Sequence, residues 1–387
     1  MDKDMTPQLT ERSFPLDLLA ASPAKRKQYF KSKIVAHRSI REAHTTLMST
    51  LSHPIDGQII MVIGAPGVGK TTVRQAMVRD LTTRFLKRGE IDPGHIPVAG
   101  IELEAFQGGM FKWKKTRQSL LKALHEPLVD KKVIYRPRMF DRDGKLEIDN
   151  RISADDLGEI LVEVLQHRQP QALWLDEGQH LARVSGASGL LHQLDVLKSL
   201  ANRSGVTPVL FGTYEMNTLL GLSPQLDRRI QRIHVPRYQA TEASDIVEFQ
   251  QVLLGFQKHL PFADEPDLLN HWSYFFAGSL GCIGILKDWL YQASGAAFDN
   301  DATTLTREMC EPWCQSSNVL VEMLQRIVSG ETHFKTKHSQ IELHTLLGLP
   351  SSRLPVLEES GQADKPAIAE KPGRRLPVRD RVGHDTI

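Results

Sequence analysis

The chain has 387 residues, 41% of them apolar and 24% charged, which is the composition of an ordinary globular protein with material for two or three domains. A net charge of +2 excludes a protein that binds polyanions through its bulk field, so a nucleic-acid surface has to be a local patch. The opening stretch, "MDKDMTPQLTERSF", is polar and mixed in charge and lacks the apolar core of a signal peptide. The longest apolar run, "IIMVIGAPGV", is too short to span a bilayer, and the expectation is a cytoplasmic protein with no membrane partner.

Residues 1–23 carry no period and read as a lead-in. From Pro23 to Leu51 the spacing of Ile34, His37, Ile40, His44 and Leu47 predicts helix, broken by "SHPIDGQ". "IIMVI" (Ile59–Ile63) is a short, continuous apolar run and predicts a buried parallel strand. A Gly-rich loop and the helical pattern "TTVRQAMVRDLTTRFL" come next. "IPVAGIEL" (Ile96–Leu103), "ALWLDE" (Ala172–Glu177) and "TPVLFGT" (Thr207–Thr213) predict three further strands, and "RIHVPR" a fifth. Between them, "ISADDLGEILVEVLQHR" reads as a helix with an N-capping start, and "GLLHQLDVLKSLANRSG" as one stopped by Gly205.

Strands alternating with helices predict an α/β fold on a parallel five-stranded sheet over 51–238, after a lead-in and helix over 1–50. Beyond it the strand signal stops, and "TEASDIVEFQQVLLGFQKHL" and the segments to Gly330 predict a small all-α domain over 239–330. A C-terminal extension occupies 331–387; from Ser351 it is polar, charge-mixed and punctuated by Pro355, Pro366, Pro372 and Pro377, the composition of a disordered tail. Three cysteines (Cys282, Cys310 and Cys314) are too few for a disulfide framework, and without a second pair beside Cys310 and Cys314 they read as thiols rather than zinc ligands.

The Gly-rich loop is "GAPGVGKTT": Gly64, Ala65, Pro66, Gly67, Val68, Gly69, Lys70, Thr71 and Thr72. Gly64, Gly69, Lys70 and Thr71 satisfy G-x-x-x-x-G-K-[ST], between a strand and a helix as that motif requires. Glycines let the backbone wrap phosphates with its N–H groups inward, the helix dipole adds to the field, Lys70 reaches the β- and γ-phosphates, and the Thr71 hydroxyl suits Mg²⁺. "ALWLDEGQH" supplies Asp176 at a strand end, a candidate for the Mg²⁺ site, and Glu177, a candidate general base for a water molecule. The plain alternative is an acid pair capping the next helix. The tandem Asp-Glu favours an ATPase that activates water over a kinase.

Thr213 ends the fourth strand, where a hydroxyl suits the orientation of attacking water; a strand-end Thr bonding its own backbone is the alternative. "QLDRRIQRIHVPR" gathers Arg228, Arg229, Arg232 and Arg237. Arg228 or Arg229 is the candidate for a finger acting across a subunit interface, while Arg232 and Arg237 read equally well as a solvated basic helix end. Lys287, after a Gly turn in "GCIGILKDW", reads as a surface lysine or as a reporter of the γ-phosphate.

Between Ala105 and His125 there is no acid and there are five bases: Lys112, Lys114, Lys115, Arg117 and Lys122. With a Gly-Gly hinge before them and Phe111 and Trp113 among them, Lys112, Lys114, Lys115 and Arg117 are candidates for a salt-sensitive grip on a nucleic-acid backbone. An amphipathic helix start with Trp113 turned into the core fits the same residues equally well. A second, weaker basic segment is "KKVIYRPRMFDRDGK" (Lys131–Lys145).

In this order, "MVIGAPGVGKTT", "ALWLDEGQHL", "PVLFGT" and "QLDRRIQRI" resemble the AAA+ ATPases that regulate DNA transposition, the TniB/TnsC type, related more distantly to MuB. The resemblance covers the stretch from Ala36 to Ala293. It implies an AAA+ P-loop core with a helical lid, ATP and Mg²⁺ as cofactors, and ATP-bound rings or helical filaments of the chain on double-stranded DNA. Such an assembly links a target-selection protein or complex to transposase subunits and uses hydrolysis to disassemble. The family's phosphate-loop residues fall on Gly64, Gly69, Lys70 and Thr71, its Mg²⁺ acid on Asp176, its catalytic acid on Glu177, its sensor on Thr213 and its finger on Arg228 or Arg229. Its DNA-contacting elements come after the second strand, where Lys112, Lys114, Lys115 and Arg117 stand. One departure is Lys287, in Gly284-Ile285-Leu286-Lys287, where many AAA+ proteins carry Gly-x-x-Arg. Two rivals remain: an AAA+ ATPase of another task, such as a helicase loader or a secretion-associated ATPase, and a non-hydrolysing, nucleotide-gated adaptor.

Overall fold

The structure, a computed structural model, describes residues 12–89, 92–105, 111–132, 152–184, 186–335 and 340–349. The Gly-Gly hinge at 108–109, most of the second basic segment and the tail from Ser351 lie outside the described residues. In chain order the helices are α1 (Pro23–Ser32), α2 (Arg38–Ser52), α3 (Lys70–Leu86), α4 (Trp113–Ala123), α5 (Ala154–Arg168), α6 (Gln179–Ala182), α7 (Gly186–Ser204), α8 (Pro224–Asp227), α9 (Ala243–His259), α10 (Trp272–Ser279), α11 (Ile283–Asp299), α12 (Arg307–Cys310) and α13 (Ser317–Glu331). The strands are β1 (Ile59–Gly64), β2 (Ala99–Glu102), β3 (Leu173–Asp176), β4 (Pro208–Gly212) and β5 (Ile230–Val235). The described residues up to Lys335 form one compact unit, and α14 (Gln340–Leu346) belongs to a separate one.

All five strands are parallel, in the order β2-β3-β4-β1-β5. Side chains alternate across the pleat, and in β1 both faces are buried. Ile59, Met61 and Ile63 face a core built with Leu120 and Leu121 of α4, Leu157, Leu161 and Leu165 of α5, and Leu194 and Leu197 of α7. Ile60 and Val62 face the opposite core, with Leu47 of α2 and Val73, Met77 and Leu81 of α3. A period of two explains why β1 reads as an unbroken apolar run: neither face meets water.

The helix expected from Pro23 to Leu51 is two helices, separated by extended chain around Lys33 and His37. They serve different cores. Phe30 of α1 is fully buried among Phe249, Phe256, Leu286 and Leu290 of α9 and α11, whereas Ile40, Ala43 and Leu47 of α2 pack on the sheet. The N-cap expected at the start of α5 is present, and the structure makes it a capping box: Ser153 Oγ accepts from Asp156 N–H, and the Asp156 carboxylate accepts from Ser153 N–H. Gly205 ends α7 with φ 72°. Among the described residues only helices come after β5, around an aromatic core of Tyr238, Phe249, Phe256, Phe262, Phe275 and Trp289. Cys310 is buried in that core, Cys314 is half-buried, and no group of three metal-ligating side chains occurs among the described residues. Among the described residues no helix is long and apolar enough to cross a membrane.

Candidate nucleotide site

The site lies where the parallel strands end. β1 delivers Gly64 to the C-terminal edge of the sheet, and the chain turns there because Gly67 and Gly69 hold φ 78° and 102°, a left-handed backbone that favours glycine. Ala65 and Val68 are buried and pin the loop, Pro66 and Gly67 are exposed, and Lys70, Thr71 and Thr72 form the first turn of α3. Lys70 Nζ donates to Gly64 O at 3.0 Å and Ala65 O at 2.8 Å. Burial pushes its pKa down to about 8, while Glu177 and Asp176 nearby favour the charged form.

α11 closes over the loop from the helical region. Gly284 N–H donates to Gly67 O at 2.6 Å, and a Cβ on Gly284 would lie 2.6 Å from that oxygen, so only glycine allows the approach. Ile285 covers Gly67 from the same turn: a Cβ on Gly67 would lie 2.7 Å from its Cγ1. Lys287 is directed elsewhere, with Nζ donating to Lys31 O at 2.9 Å, which makes it a tie to α1 rather than a neighbour of the loop.

β3 and β4 bring the remaining groups to the same edge. β4 runs between β1 and β3, with Ile63 opposite Gly212 and Leu175 opposite Leu210. Thr213 therefore leaves the sheet between the loop and the Asp176–Glu177 pair. Asp176 is 9% exposed; its Oδ2 accepts from Arg74 Nε at 2.9 Å and its Oδ1 from Glu177 N–H at 3.0 Å. Arg74 sits one turn along α3 from Lys70 and lies over the Trp174 ring at 4.4 Å. Glu177 has φ 56°, a left-handed conformation that costs a glutamate roughly 1–2 kcal/mol. Its carboxylate accepts from Gln179 Nε2, and Gln179 Oε1 in turn accepts from Thr213 N–H at 3.2 Å. The Thr213 hydroxyl is buried with no partner among the described residues.

Three neighbours of the site were not singled out as site residues in the sequence: Arg74 and His37 stand only in helical patterns, and Gln179 only within the quoted segment "ALWLDEGQHL". His37 is 2% exposed, and its Nδ1 pairs with the Tyr238 hydroxyl at 3.0 Å. Its Nε2 has no partner among the described residues and lies 4.0 Å from where a Cβ on Gly69 would be. Burial, then the charge of Arg41, lowers its pKa to about 4, so the ring is neutral at pH 7.

The arginines part company. Arg228 and Arg229 precede β5, at the sheet edge opposite the phosphate loop. Arg229 is tied down, donating to Asp56 O and to Asn202 Oδ1 at 3.3 Å; Arg228 is exposed and makes no such bond among the described residues. Arg232 is exposed on β5, while Arg237 pairs with buried Glu331 of α13 at 2.9 Å and so is not part of a solvated basic end. On α4, Trp113 packs against the core with Nε1 donating to Gln193 Oε1 at 2.7 Å, and Phe111 meets it edge to face at 5.0 Å. Arg117 is turned inward, donating to Ala154 O beside the Trp113 ring, and Lys115 pairs with Glu104. Lys112 and Lys114 are exposed at the helix start.

Residues 55–220 match the family model of the AAA domain. The match takes in four of the five strands, β1 to β4. It holds the phosphate loop, Asp176, Glu177, Gln179 and Thr213, and leaves His37, Arg228 and Gly284 outside the matched range. Among curated proteins no match was found. Among solved structures, the Aeropyrum pernix ORC1 protein in complex with DNA is similar at 16% identity and a TM-score of 0.50, over 87% of this chain and 77% of that one. The Walker-type ATPase paby2304 of Pyrococcus abyssi is similar at 15% identity and a TM-score of 0.44, over 79% of each chain. The Drosophila ORC bound to DNA is similar at 12% identity and a TM-score of 0.45, over 90% of this chain and 88% of that one. The first likeness is one of fold, and it reaches past the matched segment into the helical region.

Proposed function

We propose that the chain is an AAA+ ATPase that assembles on double-stranded DNA with ATP, links a target-selection component to transposase subunits, and disassembles by hydrolysis. The observation that carries the ATPase part is the convergence of the phosphate loop, Glu177 and the unpartnered Thr213 hydroxyl at one sheet edge. The glycine cradle fits phosphates: the Gly67 and Gly69 backbone turns where no side chain would be accommodated, and Lys70 stands half-buried beside it. Mg²⁺ fits Thr71 and Asp176. Asp176 is a nearly buried carboxylate that already holds a cation, Arg74, and one protein carboxylate is typical of a Mg²⁺ that takes other oxygens from phosphates and water. When bound, the ion neutralises charge on the phosphate oxygens.

In the proposed reaction a water oxygen bonds to the γ-phosphorus as the bond from that phosphorus to the β–γ bridging oxygen breaks. Glu177 takes the water's proton, Thr213 orients the water, Lys70 stabilises charge on the phosphates, and ADP and phosphate leave. Arg228 is the better candidate than Arg229 for the finger, because it is unencumbered and stands on the far side of its own subunit. Hydrolysis then requires a neighbouring copy.

The DNA part draws on the acid-free stretch that opens α4, with Lys112 and Lys114 exposed, and on the DNA complex of the Aeropyrum pernix relative. The transposition part rests on the resemblance of the four quoted segments. Replacing Glu177 with Gln in the full chain tests both. With ATP and duplex DNA the variant should form long-lived assemblies visible by electron microscopy, which the wild type sheds as ATP is consumed. Assemblies that decay equally fast in both remove Glu177 from its role. Failure of both proteins to assemble on DNA removes the DNA reading.

A further inference from the structure

One side chain spans the gap between the ends of β3 and β4. Gln179 opens α6 and is 4% exposed, and both ends of its carboxamide are engaged. A carboxamide can lie either way round, and its partners decide which. Thr213 N–H can only donate, so it takes Oε1; the ionised Glu177 carboxylate can only accept, so it takes Nε2. The space for this bridge is made by Gly212: a Cβ there would lie 2.8 Å from Gln179 Oε1 and 3.1 Å from Gln179 N. "DEGQ" and "FGT" are thus two halves of one arrangement. Glu177 has a left-handed backbone, and its carboxylate has no other hydrogen-bond donor among the described residues.

We propose that Gln179 is a positioning residue for ATP hydrolysis, holding the Glu177 carboxylate in one orientation and tying it to the Thr213 backbone. This rests on the assignment of Glu177 as the base. The bridge makes the base and the water-orienting threonine one rigid unit, and a base held in the productive geometry gains over one that samples several rotamers. A shift of Thr213 is passed through a single buried amide to Glu177, so the two groups move together.

Two variants separate positioning from simple support of the backbone. Gln179→Glu keeps an oxygen for Thr213 N–H but faces Glu177 with a second carboxylate; Gln179→Leu removes both bonds. Each is made in the full chain and compared with wild type and Glu177→Gln for affinity towards a fluorescent ATP analogue, kcat, and unfolding temperature. Affinity should stay within about twofold while kcat falls about tenfold or more in both variants, with Gln179→Glu no better than Gln179→Leu. In a Glu177→Gln background, Gln179→Leu should cause no further loss, because it acts through the missing base. Wild-type turnover in Gln179→Glu would reduce the residue to an anchor for Thr213. Equal losses in affinity and kcat, or a full additional loss on top of Glu177→Gln, would overturn the inference too. If Gln179→Leu fails to fold, the isosteric Gln179→Glu still decides it. Undiminished turnover in Glu177→Gln is a different failure, that of the base assignment itself.

Discussion

Replacing Thr213 with Val should make the protein more stable and less active. The hydroxyl is buried beside the phosphate loop with no partner among the described residues, while Thr213 N–H is already satisfied by Gln179. An unpaired buried polar group costs roughly 1–3 kcal/mol. Valine has the same shape and the same stiffness at χ1, so the exchange leaves no cavity and forces no rotamer change. It removes the desolvation cost and adds an apolar methyl, for a net gain of about 1–2 kcal/mol, which corresponds to a rise of about 2–5 °C in unfolding temperature. Turnover moves the other way. Losing a group that orients the attacking water costs about ten- to a hundredfold in kcat, with ATP affinity nearly unchanged. Differential scanning fluorimetry and a phosphate-release assay on the same preparation give both signs. A variant that is destabilised yet turns over at the wild-type rate would show that the hydroxyl is a structural group, and the account of Thr213 would fail.

Arg228→Ala should abolish assembly-dependent hydrolysis while leaving nucleotide affinity and stability intact. Arg229→Ala should lower stability by about 1–2 kcal/mol, because it frees Asp56 O and Asn202 Oδ1; chemical denaturation and ATP turnover of the pair separate the two roles. The folded-state pKa of His37, about 4, lies below its unfolded value of 6.5, so the unfolded chain binds the extra proton between those values. Its contribution is complete above about pH 6.5 and is lost as pH falls towards 4, about 3 kcal/mol in all, and His37→Phe should flatten urea stability over that window. His234, lowered to about 4 by burial, adds a slope of the same sign that the variant retains. Changing Lys112, Lys114 and Lys115 to Ala should weaken duplex binding and make its dependence on log salt shallower, by about 1 for each lysine that grips a phosphate; an unchanged slope would take these lysines off the DNA.

The core of the fold was legible because its signals are local. Ile59–Ile63 is buried on both faces, so the strand shows as an uninterrupted apolar run, and the Gly pattern beyond it answers to backbone angles that only glycine accepts freely. The N-cap at Ser153 and the stop at Gly205 were visible for the same reason. What was hidden depends on distant partners. The break between α1 and α2 arises from Phe30 seeking the aromatic core of α9 and α11 while Ile40 and Leu47 seek the sheet, and one helical period runs through both. Gln179 gains its meaning from Gly212 and Thr213, more than thirty residues on, and His37 from Tyr238, about two hundred residues away. The basic stretch left two readings open, and the fold divides it: Trp113 and Arg117 turn inward, while Lys112 and Lys114 stay at the surface.

The most direct measurement is ATP hydrolysis by the purified full chain, with and without double-stranded DNA, across protein concentration. The account predicts stimulation by DNA with a steep rise in specific activity as protein concentration increases, because Arg228 of one copy completes the site of the next. Specific activity that is the same at every concentration and indifferent to DNA would contradict it. The phosphate loop would then serve an ATPase of another task, complete within a single chain.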